Sequence, residues 1–417
     1  MVLPATGRIA AAAVSAVLLL PLAACASDTG QTTITVNINK PPALFEDLIA
    51  QFEEENPDVR VQLDPHEAGF IPDLVRGDPP DVRIAGWASA ESVLAQRGVF
   101  TDLSDTEAAQ RIPDTTLDLV RQWGGGGGKL DALPFSLVSA GVIYNKEIFA
   151  EQGLEVPQTW DEFQQLCETL TERDITPIYG TFREPWTTDM VMDYVVGDFS
   201  DDFAKLREDG PTLTPTSPSS FEGLIGGSLD KADWIFEQTQ PDARSKNYAD
   251  GNVAFANGAA AMYFQGPWAL SEVEAVNPDI ELGTFALPTT NDPADTQARI
   301  VLDLVVSIPT GAKHEDEARR LIEFMYEDRV NADYNTTNAA FSPLESVGPP
   351  TDPRLAGLVP YVEDQRFYLG MSAYFGAIPK SNYFQEFALY RNQPAFTTSL
   401  TEEWQREARR NELRGIQ

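Results

Sequence analysis

Ile34-Thr35-Val36-Asn37-Ile38 alternates apolar and polar residues with the period of two that presses one side of a β-strand against a core. Leu44, Phe45, Leu48, Ile49 and Phe52 then recur at helical spacing, and Asn56-Pro57 stops that helix. Val59-Arg60-Val61-Gln62-Leu63 resumes the alternation. Strand, helix and strand in this order predict a parallel α/β sheet. Asp81-Val82-Arg83-Ile84 predicts a further strand and Ala90 to Gln96 a further helix. Far downstream, Ile300 to Ile308 is an apolar strand broken only by Asp303 and Ser307.

The N-terminus carries a different pattern. Arg8 precedes an apolar run from Ile9 to Leu20, and Pro21-Leu22-Ala23-Ala24-Cys25 follows. A charged start, a short apolar stretch and a small-residue cleavage site predict a secretory signal over residues 1–24, because the stretch is shorter than the roughly 20 residues of a spanning helix. Leu22-Ala23-Ala24-Cys25 resembles the lipobox of bacterial lipoproteins, which implies that Cys25 is lipidated and becomes the mature first residue. The one other cysteine is Cys167, so acylation of Cys25 leaves no intramolecular disulfide and stability must come from burial. Cys167 follows Phe163 and Leu166 in a predicted helix and reads as a buried apolar residue. Asp28 to Gln31 reads as a short polar tether.

Charge removes whole classes of function. The 417 residues hold 64 acidic and 30 basic side chains, a formal charge of −34, which excludes nucleic acid because phosphate binding needs clustered Lys and Arg. With 42% hydrophobic residues the composition is that of a globular chain, long enough after the leader for two or three domains. No later stretch is apolar enough to span a bilayer. Gly124 to Gly128 precede Lys129, but Leu130 stands where a phosphate-binding loop needs Ser or Thr, so the run reads as a hairpin turn leading into Leu130 to Phe135. Pro211 to Ser220 reads as a surface loop. There is no Gly-x-Ser-x-Gly or His-Glu-x-x-His motif, and the two histidines, His66 and His314, stand in polar turns. No cofactor, metal site or catalytic set is predicted.

Several segments, in order, resemble the extracellular solute-binding proteins of family 1, the maltodextrin-type sugar-binding components of ABC transporters. They are Phe52-Glu53-Glu54-Glu55-Asn56-Pro57-Asp58-Val59-Arg60-Val61, Pro80-Asp81-Val82, Leu133-Pro134-Phe135 with Gly141 to Phe149, and Pro157-Gln158-Thr159-Trp160-Asp161-Glu162-Phe163, where Thr159 is placed to cap a helix ahead of Glu162. Asn257-Gly258-Ala259-Ala260-Ala261-Met262 with Gly266-Pro267-Trp268 completes the series. The resemblance runs from near residue 34 to about 330 and fades beyond 340. It implies a two-lobed α/β fold of the periplasmic-binding-protein type with three interlobe crossings, near Leu137 to Ala140, Leu287 to Thr289 and Phe341 to Pro343. Lobe one is then 28–137 and 289–341, and lobe two is 138–288 and 342–417. The expected role is that of a monomeric, lipid-anchored carbohydrate receptor outside the cell membrane, partnered by ABC permease subunits.

Sugar recognition needs flat aromatic faces and fixed polar groups. In the resembling family the tryptophan of Gly-Pro-Trp, here Trp268, lies under a sugar, and Glu184-Pro185-Trp186 resembles a sugar-contacting segment. Trp87 follows the Asp81 strand at its carboxyl end, where open α/β sheets place ligands. Asn39 and Lys40 follow the first strand and can donate to hydroxyls. Asp303 interrupts an apolar strand, where an unpaired carboxylate is costly, and is expected to face the cleft or a hydrogen-bond partner. Tyr383 and Phe384 complete the candidates. Val138 departs from the maltodextrin pattern, in which some members carry a carboxylate, so maltodextrin itself is not implied. The competing readings are a secreted glycoside hydrolase using two of the 64 carboxylates, an adhesive lipoprotein, and a receptor for a polyamine, phosphate ester or peptide.

Overall fold

The computed structural model describes residues 30–87, 89–122, 124 and 128–413. The signal segment, Cys25 and most of the Gly124–Gly128 run lie outside the described residues. Ten strands form two sheets: β1 Thr32–Ile38, β2 Val59–Asp64, β3 Val82–Ala85, β4 Leu133–Ala140, β5 Val142–Asn145, β6 Ile178–Tyr179, β7 Met262–Tyr263, β8 Leu282–Phe285, β9 Ala298–Ser307 and β10 Phe367–Leu369.

The first sheet has the order β2-β1-β3-β9-β10, with β4 along the opposite edge of β9. β1 pairs in parallel with both β2 and β3, and β9 runs antiparallel to β3 and β4. Alternation decides which side chains go inward: Ile34, Val36 and Ile38 are all fully buried. They meet Phe45, Leu48, Ile49 and Phe52 of the helix Glu46–Glu55 and its approach, together with Val306, Leu321 and Tyr326. The second sheet has the order β6-β7-β5-β8. Its core gathers Phe163, Leu166 and Cys167 from the helix Trp160–Glu172, along with Met262, Phe264, Phe236 and Trp404. Thr159 accepts the Glu162 N–H at 3.2 Å and caps that helix as its position predicts. Cys167 is fully buried, and burial pushes its thiol well above the ordinary range, so it is a packing residue.

The chain passes between the sheets at three expected places and crosses again on either side of β10. β4 becomes β5 through Gly141, β8 leads into β9, and Phe341 exchanges backbone hydrogen bonds of 2.9 and 2.7 Å with Leu137. Beyond Phe341 the chain is divided. β10 pairs in parallel with the start of β9 and so joins the first sheet, whereas Phe384, Phe387, Phe396 and Leu400 of the last two helices belong to the second core. A buried ion pair fastens this junction. Arg299 on β9 donates from Nε to Asp193 Oδ2 at 2.8 Å, and Ser372 donates to the same carboxylate from its backbone and its hydroxyl, both at 2.7 Å. With neither charge exposed to water, these hydrogen bonds are what keep burial of the pair tolerable. Pro211 to Ser220 connects helices as expected, but Leu213, Ser219 and Ser220 in it are buried.

Candidate functional site

The candidates form two groups. On the first sheet the carboxyl end of β1 delivers Asn39 and Lys40, the end of β3 delivers Trp87, and β9 delivers Asp303. Lys40 Nζ and Asp303 Oδ1 are 2.8 Å apart, with both side chains about one-third exposed (32% and 29%). Asp303 therefore has the partner its place in an apolar strand demands. Burial raises the Tyr334 phenol well above its usual range, and the Asp303 charge adds to that shift. Asn39 and Trp87 are held by their backbones, Asn39 N–H to Ile84 at 3.3 Å and Trp87 N–H to Leu302 at 3.2 Å. Asn39 Oδ1 and Trp87 Nε1 are buried without hydrogen-bond partners among the described residues. Trp87 is only 4% exposed, with its ring 6.0 Å from that of Phe100, so it offers no open face.

The second group is aromatic. Trp186 sits on a 3-10 helix, Pro185–Thr188, and Trp268 opens the helix Trp268–Val276. Their ring centres are 6.4 Å apart at an interplanar angle of 53°. They are 38% and 42% exposed, whereas Trp87, Trp160 and Trp404 are buried. The Gly-Pro-Trp sequence explains how Trp268 is seated. Its ring folds back over Gly266, where a Cβ would come within 2.1 Å of the indole, so glycine at 266 is a condition of this ring position. Trp186 is backed by Tyr248, with ring centres 5.0 Å apart. Glu184 acts through that residue: its carboxylate accepts the Tyr248 N–H at 2.8 Å, which caps the first turn of the helix Tyr248–Ala256 and sets the ring against Trp186.

Tyr248 was not among the expected residues. Its helix starts with a capping box, Asn247 with Asp250, visible in the sequence as a helix start, but the contact with Trp186 spans about 60 residues of chain. Tyr383 and Phe384 do not join either group. Phe384 is fully buried between Phe375 and Phe396, and the phenol of Tyr383 contacts Glu403 at 3.4 Å. A cavity of about 1340 Å³ opens elsewhere, between Phe70, Arg83 and Glu91 on one side and Phe203, Tyr374 and Trp404 on the other. Trp87, Trp186 and Trp268 do not line it. Among the described residues no cluster of His, Cys, Asp and Glu could hold a metal ion, and no helix is long and apolar enough to cross a membrane.

Two α/β bodies joined by several passages of the chain, one bearing an ion pair and an amide at its strand ends and the other a pair of exposed indoles, define the class of two-lobed solute receptors. The chain belongs to the bacterial extracellular solute-binding protein family, whose model matches residues 36–332. It is 27% identical over 339 residues to the multiple sugar-binding protein of Streptococcus mutans, a match covering 75% of this chain and 77% of that protein. It is 26% identical over 286 residues to the diacetylchitobiose-binding protein DasA of Streptomyces coelicolor, covering 66% and 63%. The apo-form of RafE from Streptococcus pneumoniae has the same fold, with a TM-score of 0.78 at 24% identity over 90% of this chain and 98% of that one. RafE in complex with raffinose superposes with a TM-score of 0.71.

Proposed function

We propose that this extracytoplasmic receptor captures an oligosaccharide between its two bodies and delivers it to the permease of an ABC importer, acting as a monomer tethered through an acylated Cys25. The observation that carries the reading is the pair of exposed indoles, Trp186 and Trp268, with centres 6.4 Å apart. Exposed indoles offer the flat apolar faces that take the C–H side of sugar rings, and two neighbouring faces suit successive rings of one chain. Asn39, Lys40 and Asp303 supply hydrogen-bond donors and acceptors for hydroxyls from the other body, so a saccharide touching both groups favours the closed arrangement. The names of relatives point the same way: a multiple sugar-binding protein, a diacetylchitobiose-binding protein, and a melibiose/raffinose/stachyose-binding protein in Bacillus subtilis. We place the bodies at about 28–137 with 289–341, and 138–288 with most of 342–417, although the end of β4 (Val138–Ala140) and β10 pair in the first sheet.

The test is a calorimetric titration of the purified protein with raffinose, melibiose, maltotriose and diacetylchitobiose, followed by chromatography of each sugar after prolonged incubation. Saturable binding with the sugar recovered intact supports the proposal. Cleavage would make the protein a hydrolase, and absence of binding to all four would remove the basis for a receptor of this class of sugar.

A further inference from the structure

Two amide side chains beside the aromatic group are buried without good partners for all their polar atoms. Asn252 is 3% exposed, and neither Oδ1 nor Nδ2 makes a well-formed hydrogen bond among the described residues. Gln265 is 1% exposed, and its Oε1 lacks a partner although its Nε2 donates to Thr181 Oγ1 at 3.4 Å. A buried polar atom without a good partner is costly, so the gathering of Asn252 and Gln265 in one small region calls for a role.

Both amides belong to the segments that carry the rings. Gln265 immediately precedes the Gly266-Pro267-Trp268 turn. Asn252 stands one helical turn after Tyr248, and its amide interacts with the Tyr248 hydroxyl. The helix carrying Asn252 packs on the helix that Trp268 opens. Gly251, its neighbour, is pressed so closely to Tyr263 and Thr181 that a Cβ would come within 2.3 and 2.5 Å of them. Thr181 thus touches both the Asn252 turn and Gln265, and the half-exposed ring of Tyr248 connects Asn252 to Trp186.

We propose that Asn252 and Gln265 determine specificity by reading hydroxyl groups of the saccharide unit seated on Trp186 and Trp268, with Tyr248 turning aside to admit them. The inference rests on the saccharide reading above. A side-chain amide offers donors and an acceptor, and a sugar hydroxyl can satisfy both. Readers of this kind discriminate strongly, because a ligand lacking the hydroxyl leaves the amide poorly paired again.

The experiment compares the wild type with Asn252→Leu and Gln265→Met, titrated with raffinose and with maltotriose, alongside the melting temperature without sugar. For the sugar that the wild type binds, each variant should raise Kd tenfold or more while its sugar-free melting temperature holds or rises, since a buried polar group without a good partner has been removed. A merely structural amide cannot give these opposite signs. An unchanged Kd overturns the proposal, as does a rise in Kd that tracks a fall in melting temperature in both variants. Should the leucine variant fail to fold, Gln265→Met decides by the same comparison. A wild type that binds neither of these sugars nor the others tested above overturns the saccharide reading, and this proposal with it.

Discussion

At the scale of single residues, the account depends most on Trp268. Its ring is 42% exposed and rests on Gly266, so the fold has little need of the indole while a stacked sugar has much. Anchors of this kind contribute about 2 kcal/mol or more, so Trp268→Ala should weaken saccharide binding by roughly thirtyfold or more in a titration. Trp268→Phe should lose less, and both variants should keep a nearly normal melting temperature without sugar. Asp189 gives a second test. Burial raises its carboxyl from 3.8 to about 6, against the nearby Lys380 ammonium at 3.7 Å and the Ser381 hydroxyl at 2.8 Å. A carboxyl raised in the folded state binds its proton more tightly there than in the unfolded chain. Its contribution is therefore most favourable below pH 4 and is lost as pH rises through about 6. Asp189→Asn should raise the melting temperature at pH 7.5, by about 1–3 kcal/mol of stability, and should change little at pH 4. What the sequence revealed at this scale was motif-borne. Trp186 and Trp268 come together as their motifs imply, and Asp303 finds Lys40 because an apolar strand cannot leave a carboxylate unpaired. Phe384 belongs to a stripe with Phe387 and Ala388, buried at helical spacing, and that periodicity was the stronger signal than its position in the chain.

At the scale of elements, long periodic segments were legible and short ones were not. β1, β2 and the helix between them stand within two or three residues of their hydrophobic patterns. β6 and β7 have two residues each, too few for any period to appear, and their pairing depends on neighbours brought from elsewhere in the chain. β10 has three residues, all buried, so no alternation of side chains assigns it to the first sheet. The junction of β4 and β5 is a tight passage. A Cβ on Gly141 would lie 2.4 Å from the Phe285 carbonyl oxygen and 2.8 Å from Leu358. Gly141→Ala must displace β8 or Leu358, and overpacking of this kind costs about 1–3 kcal/mol. A lowered melting temperature is the expected result, and an unchanged one would show that this passage has more room than the structure gives it.

At the scale of the whole molecule, the two sheets and their two cores exist because the chain commits its first four strands to one body and then passes through Gly141 into the other. Order and spacing of the family motifs made this legible without any single motif being decisive. The 1340 Å³ cavity was not legible, since it is bounded by residues from Phe70 to Trp404 that no local pattern connects. The central claim is that a saccharide is gripped by both bodies at once. Small-angle X-ray scattering with and without saturating raffinose, or another sugar shown to bind by calorimetry, tests it most directly. The account predicts a smaller radius of gyration with sugar bound, and an unchanged profile at saturation would contradict a receptor that closes on its ligand.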